Sequence, residues 1–109
     1  HIAFHNSVFG GAAGGLAKIY TDDTATDNDA VTSGQTLTLD AFYVFRIDVL
    51  DVASVKFFIN GARVAPTTTF SVANGANVVM QPCFMIYKDA GAGLGDLYID
   101  YCKVWQLSR

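Results

Sequence analysis

Glutamate is missing from this chain: all ten acidic residues are aspartates. Glutamate is a good helix former, whereas the plentiful Asp, Thr, Gly and Val are poor ones, so every helical reading is weakened. The commonest acid/base carboxylate is missing with it. A basic cluster is also lacking, since the seven basic residues are scattered from Lys18 to Arg109 and the net charge is −3. Nucleic-acid binding requires a basic footprint, and that class is excluded. No apolar run approaches the roughly 20 residues of a helical membrane span. Cysteine is limited to Cys83 and Cys102, with neither metal-ligand spacing nor a redox motif. Both fall in predicted strands, where free buried thiols are the reading; a disulfide between them requires neighbouring strands. An initiator methionine is lacking too, and the chain opens on His1 inside a strand-like run. It reads as a segment of a longer chain, with targeting signals outside it.

What is present suits one β domain over residues 1–109. Half of the chain is hydrophobic and 13% aromatic, enough to bury roughly 60–70% of its surface at this size. Segments of period two, separated by turn chemistry, recur along it. They cover residues 2–9, 16–21, 35–39, 42–50, 55–59, 62–65, 68–72, 78–88 and 97–107. Residues 22–34 read as a polar loop between them. In the fourth segment Tyr43, Phe45, Ile47 and Val49 share one face, and Arg46 and Asp48 the other. Asn60-Gly61 is the clearest local signal, because a type I′ hairpin turn needs positive φ at both central residues. It pairs Ile59 with Ala62, Phe58 with Arg63 and Phe57 with Val64. Pro82 cannot donate to a ladder and marks an edge or bulge. About eight or nine strands and no helix argue for an all-β, antiparallel β-sandwich or jelly roll.

Chemistry-bearing groups are sparse. His1 and His5 share a strand face about 13 Å apart, too far to ligate one metal. Asp22, Asp23, Asp27 and Asp29, with Asn28, form an acidic stretch whose hard oxygens suit Ca²⁺. It lacks the glycine and terminal glutamate of an EF-hand, so a solvated loop with at most weak Ca²⁺ binding is the reading. No other cofactor is implied. The Gly91-to-Gly95 run precedes a strand and lacks the ending of a phosphate-binding loop. Serines occur without a nucleophile elbow, and both histidines lie at the N-terminal end, so a catalytic triad is excluded. On the last segment Ile99, Tyr101, Lys103 and Trp105 share one face, and Tyr98, Asp100, Cys102 and Val104 the other. Tyr98, Tyr101 and Trp105 are the candidate binding residues, since exposed Tyr and Trp stack sugars or dock proteins. The same rings alternatively fill a core.

Two segments resemble a known superfamily. Val55-Lys56-Phe57-Phe58-Ile59-Asn60-Gly61-Ala62-Arg63-Val64 resembles the V-x-F-Y-V-D-G-x-x-V hairpin of concanavalin A-like lectin/glucanase domains. Leu97-Tyr98-Ile99-Asp100-Tyr101-Cys102-Lys103-Val104-Trp105-Gln106 is similar to the closing I-D-Y-V-R-V-W-Q strand of laminarinase-type glucanases and laminin-G-like modules. With Phe45-Arg46-Ile47-Asp48 before the hairpin, and Gln81-Pro82 and Lys88 between, the order looks like the C-terminal part of phage structural proteins. The matching residues run from about position 42 to 106.

The resemblance implies a concanavalin A-like sandwich, with further strands upstream of His1 because such domains usually run longer. The glucanases carry paired glutamates around a Glu-x-Asp-x-x-Glu motif, and retaining hydrolysis needs two carboxyls about 5–5.5 Å apart. That chemistry does not carry over, and no enzyme activity is expected. What remains is a virion structural protein, a capsid decoration or tail-associated bacteriophage module acting by protein–protein contacts. Its expected partners are capsid or other virion proteins and copies of itself, as a trimer or dimer, with neither nucleic acid nor membrane. The alternative is a non-catalytic carbohydrate-binding module of a larger extracellular protein.

Overall fold

The computed structural model describes residues 1–6, 15–25, 27–38, 41–73, 80–85 and 97–106. The chain divides into two units, His1–Asn77 and Val78–Arg109.

The first unit holds all the strands found among the described residues. Strands β1 (Ile2–Asn6), β2 (Gly15–Asp22) and β3 (Asp27–Leu37) form one antiparallel sheet, with β2 central. Strands β4 (Phe45–Asp48), β5 (Lys56–Ile59) and β6 (Ala62–Val64) form a second, with β5 central. The all-β, antiparallel expectation is met, and no described residue is helical.

Period two explains the core. Along β2 the side chains of Ala17, Ile19 and Thr21 are buried while the intervening ones are not, and along β5 Phe57 and Ile59 are buried. Successive strand side chains point to opposite faces, so each central strand commits one face to the interior. These faces meet Val55, Val64, Phe70 and Val72 in a single apolar cluster. Phe57 sits at its heart. Its ring meets Phe4 of the other sheet edge-on at 5.2 Å and Phe70 at 4.9 Å. Such tilted aromatic pairs add about 0.5–1.5 kcal/mol beyond area burial.

The β5–β6 hairpin turns as expected. Asn60 and Gly61 take φ of 50° and 83°, and the pairs are Ile59–Ala62, Phe58–Arg63 and Phe57–Val64.

Residues 22–34 are where the expectation fails. The polar stretch is not a loop, because β3 occupies Asp27–Leu37. Between the pairs Leu16–Thr36 and Lys18–Thr32, β2 advances two residues and β3 four. Between Ile19–Val31 and Thr21–Asn28, β2 advances two and β3 three. Each mismatch is a bulge on β3, and the positive φ of Gly34 (74°) and Ala30 (53°) falls within them. Bulged residues break the alternation of faces. The period-two signal is therefore erased in the longest of the described strands.

Other boundaries shrink. The segment at 68–72 contributes a bridge between Phe70 and Val55, with Val72 N–H donating to the Val52 carbonyl at 2.8 Å. In the second unit, residues 80–85 and 97–106 belong to no strand, against the expectation for both segments. Their alternation alone does not make a strand; a ladder partner must supply the backbone hydrogen bonds. Cys83 and Cys102 are free thiols, and both are exposed rather than buried. The strand expected at 7–9 and the glycine-rich loops expected at 10–14 and 91–95 lie outside the described residues.

Candidate interaction surface

The acidic candidates gather at the β2–β3 turn. Asp22 and Asp27 are paired across the hairpin, and their carboxyls share a hydrogen bond. Asp22 Oδ1 also accepts the Thr24 N–H at 2.9 Å, and Asp23 Oδ1 accepts the Ala25 N–H at 3.1 Å. These are local side-chain-to-backbone bonds that an Asp turn uses in place of a ladder. Thr24 takes φ of 73° inside the turn. The Thr24 N–H, and then the bond to Asp27, hold the Asp22 carboxyl below its usual range. Asp27 is pushed up, first by that shared bond and then by the Asp22 charge. Asp23 is only 5% exposed, and its Oδ2 accepts a long 3.5 Å bond from Ser71 Oγ. Asp29 lies further along β3 and is exposed. Chemically this cluster closes a turn. Among the described residues no three His, Cys or Asp side chains are arranged to hold a metal.

The aromatic candidates Tyr98, Tyr101 and Trp105 are all exposed. Lys103 Nζ stands 5.1 Å from the centre of the Trp105 ring, within cation–π reach. With no strand over residues 97–106, the two-face arrangement read from the sequence is not formed.

A third surface was not singled out from the sequence. Among the described strands β4 lies at the edge of its sheet, with β5 as its one neighbour. Phe45 and Ile47 pair with Ile59 and Phe57, which are 2% and 0% exposed, yet are themselves 43% and 37% exposed. Phe45 touches Phe4 at 4.9 Å and Tyr43 at 6.3 Å between ring centres, and its remaining surface faces outward. Phe42, Val44, Leu50 and Val52 extend this apolar stretch on either side, and all are exposed. Alternation did place Phe45 and Ile47 on one face, but strand order decides whether that face is covered.

The outer face of β4 is polar and ordered. The Arg46 guanidinium lies 3.9 Å over the Phe58 ring, and its Nε bonds Asp48 Oδ1 at 3.1 Å. Beside it Asp48, Leu50, Asp51, Ser54, Lys56 and Phe58 line a cleft of about 210 Å³. That is below the roughly 300 Å³ at which small-molecule sites begin. No family, curated protein or solved structure was found to match the chain in comparisons with known proteins.

Proposed function

We propose that this chain is a non-catalytic structural module of a virus particle, a capsid-decorating or tail-associated subunit that works through protein–protein contacts. The observation that carries the reading is its uncovered apolar surface. Core-facing Phe45 and Ile47 lie open at a sheet edge, and Tyr98, Tyr101, Val104 and Trp105 are exposed in the second unit. Contiguous exposed apolar area marks an interaction site, and aromatic side chains dominate such contacts. The resemblance to concanavalin A-like domains and to phage structural proteins supplies the setting, a virion. The lack of glutamate supports a role without hydrolysis.

A second reading is favoured by one feature. Exposed Tyr98, Tyr101 and Trp105, with Lys103 beside the indole, are the residue types on which carbohydrate-binding modules stack sugars.

The test has two arms. Antibody against the chain is used to label particles of the virus that encodes it, and sedimentation measures its association at micromolar concentration. Labelled particles and an associating chain support the structural role. Unlabelled particles with a monomeric chain refute it, and binding on a glycan array lost in Trp105→Ala transfers the assignment to sugar recognition.

A further inference from the structure

The Asn60-Gly61 turn has reactive chemistry as well as shape. Asparagine is a thermolabile residue, open to attack on its side-chain carbonyl by the backbone nitrogen that follows it. Before glycine the attack is least hindered, because glycine has no Cβ. Here both residues are exposed, and nothing lies within 4 Å of where a Cβ on Gly61 would stand. Conformation opposes the reaction. The φ of 50° at Asn60 and 83° at Gly61 match a type I′ turn, in which ψ of the first central residue is about +30°. Closing a ring onto Gly61 N requires ψ of about −120°, the value that residue takes in a type II′ turn. Both turns keep positive φ at Asn60, so a flip of the peptide plane between Asn60 and Gly61 converts one into the other. The Asn60 side chain is also tied down. Its Oδ1 accepts the Val44 N–H at 2.9 Å, and the Asn60 N–H donates to the Val44 carbonyl at 2.9 Å. Swinging Cγ onto Gly61 N takes Oδ1 away from Val44.

We propose that Asn60 is a site of spontaneous deamidation, latched by its hydrogen bond from Val44 and released when the turn flips. The steps balance with water and its hydroxide as the only co-reactants. Gly61 N, its proton taken by hydroxide, forms a bond to Cγ of Asn60. The Cγ–Nδ2 bond breaks, and that nitrogen leaves as ammonia with a proton from water. Water then opens the five-membered imide at one of its two carbonyls. Opening at Cγ restores the main chain and leaves an aspartate, which keeps an oxygen for the Val44 N–H. Opening at the main-chain carbonyl leaves an isoaspartate, with an extra methylene in the main chain of the turn. Loop length fixes register in a hairpin, so the isoaspartate disturbs the Ile59–Ala62 pair and gives up the hold on Val44. An opening that was transient becomes permanent, and the product marks the chains in which it occurred.

The full chain is incubated in H₂¹⁸O at mildly alkaline pH, folded or in urea, and Asn60 is followed by peptide mapping. Asn74-Gly75 repeats the dipeptide in the sequence and gives the reference rate in urea. In urea both asparagines should convert at similar rates, with ¹⁸O entering each product. In the folded chain the rate at Asn60 should fall at least about tenfold, because reaction waits on a conformer populated at about 10% or less. Val44→Pro removes the N–H donor and should raise the folded rate about two- to tenfold, the factor that one net hydrogen bond represents. The isoaspartate form, separated by its added charge, should melt below the parent, and Asn60→Asp should melt nearer to it. No conversion of Asn60 in urea overturns the site. Equal rates at Asn60 in the folded and unfolded chain overturn the latch, whether or not Val44→Pro folds. So does a folded Val44→Pro that converts no faster than the parent. An isoaspartate form as stable as the parent overturns the permanence of the opening.

Discussion

The β5–β6 hairpin reverses over two residues, Asn60 and Gly61, whose backbone alone supplies the geometry. The β2–β3 hairpin reverses over an acidic turn in which Asp22 and Asp23 cap the backbone N–H groups of Thr24 and Ala25. In the first, conformation is chosen by residues that tolerate positive φ. In the second, side-chain hydrogen bonds hold a Thr at φ 73°, where a β-branched residue is uncommon. The first turn is therefore indifferent to pH, whereas the second contains two carboxyls sharing one hydrogen bond. Both hairpins nevertheless bury their central strands in one core.

That shared core gives the largest effect. Phe57→Ala should cost about 3–5 kcal/mol and Ile19→Ala about 2–5 kcal/mol, in urea denaturation followed by fluorescence or circular dichroism. Each should lower one common transition of the His1–Asn77 unit. Separate transitions for the two hairpins would show that the cluster does not join them.

The turns themselves should respond in opposite directions. Gly61→Val forces a branched side chain into positive φ and should destabilise by about 1 kcal/mol or more. Thr24→Gly removes that strain and should stabilise by about 0.5 kcal/mol. A loss of stability at position 24 comparable to that at 61 would mean that the Asp caps leave no strain to relieve.

Asp27→Asn isolates the carboxyl pair. The raised Asp27 contributes stability that is present when it is protonated and lost as pH rises through its folded pKa. The lowered Asp22 contributes stability present above its ordinary pKa and lost as pH falls through the folded value. Asn keeps a donor toward Asp22 without the second charge. The variant's melting temperature should therefore exceed the parent's at neutral pH, with the gap closing in the acid range where Asp27 is already protonated. A gap independent of pH would sink this account.

The smallest effect is expected from calcium. Asp22 and Asp23 spend oxygens on the turn, so millimolar Ca²⁺ should move the melting temperature by less than about 1 °C. A rise of several degrees, reversed by chelator, would establish a site.

Legibility followed locality. The Asn60-Gly61 turn and the three pairs flanking it were readable because two residues determine them. The existence of β2 and β5 was readable from period two. Strand β3 was not, since two bulges around Ala30 and Gly34 scramble its faces and leave a sequence that resembles a loop. Of the candidate site residues, the clustering of Asp22, Asp23 and Asp27 was visible from their spacing. The burial of Asp23 was not, because its partner Ser71 is 48 positions away. The open face of Phe45 and Ile47 depends on strand order, which a pattern of period two does not encode.

Asn60 belongs to two pieces of structure at once. It is the first central residue of the hairpin turn, and it holds Val44 through both its backbone N–H and its side-chain oxygen. Loosening the turn therefore frees the end of β4 in the same event. In hydrogen exchange, the amide protons of Val44 and Asn60 should share one opening free energy, so that turn and edge strand behave as a single cooperative unit.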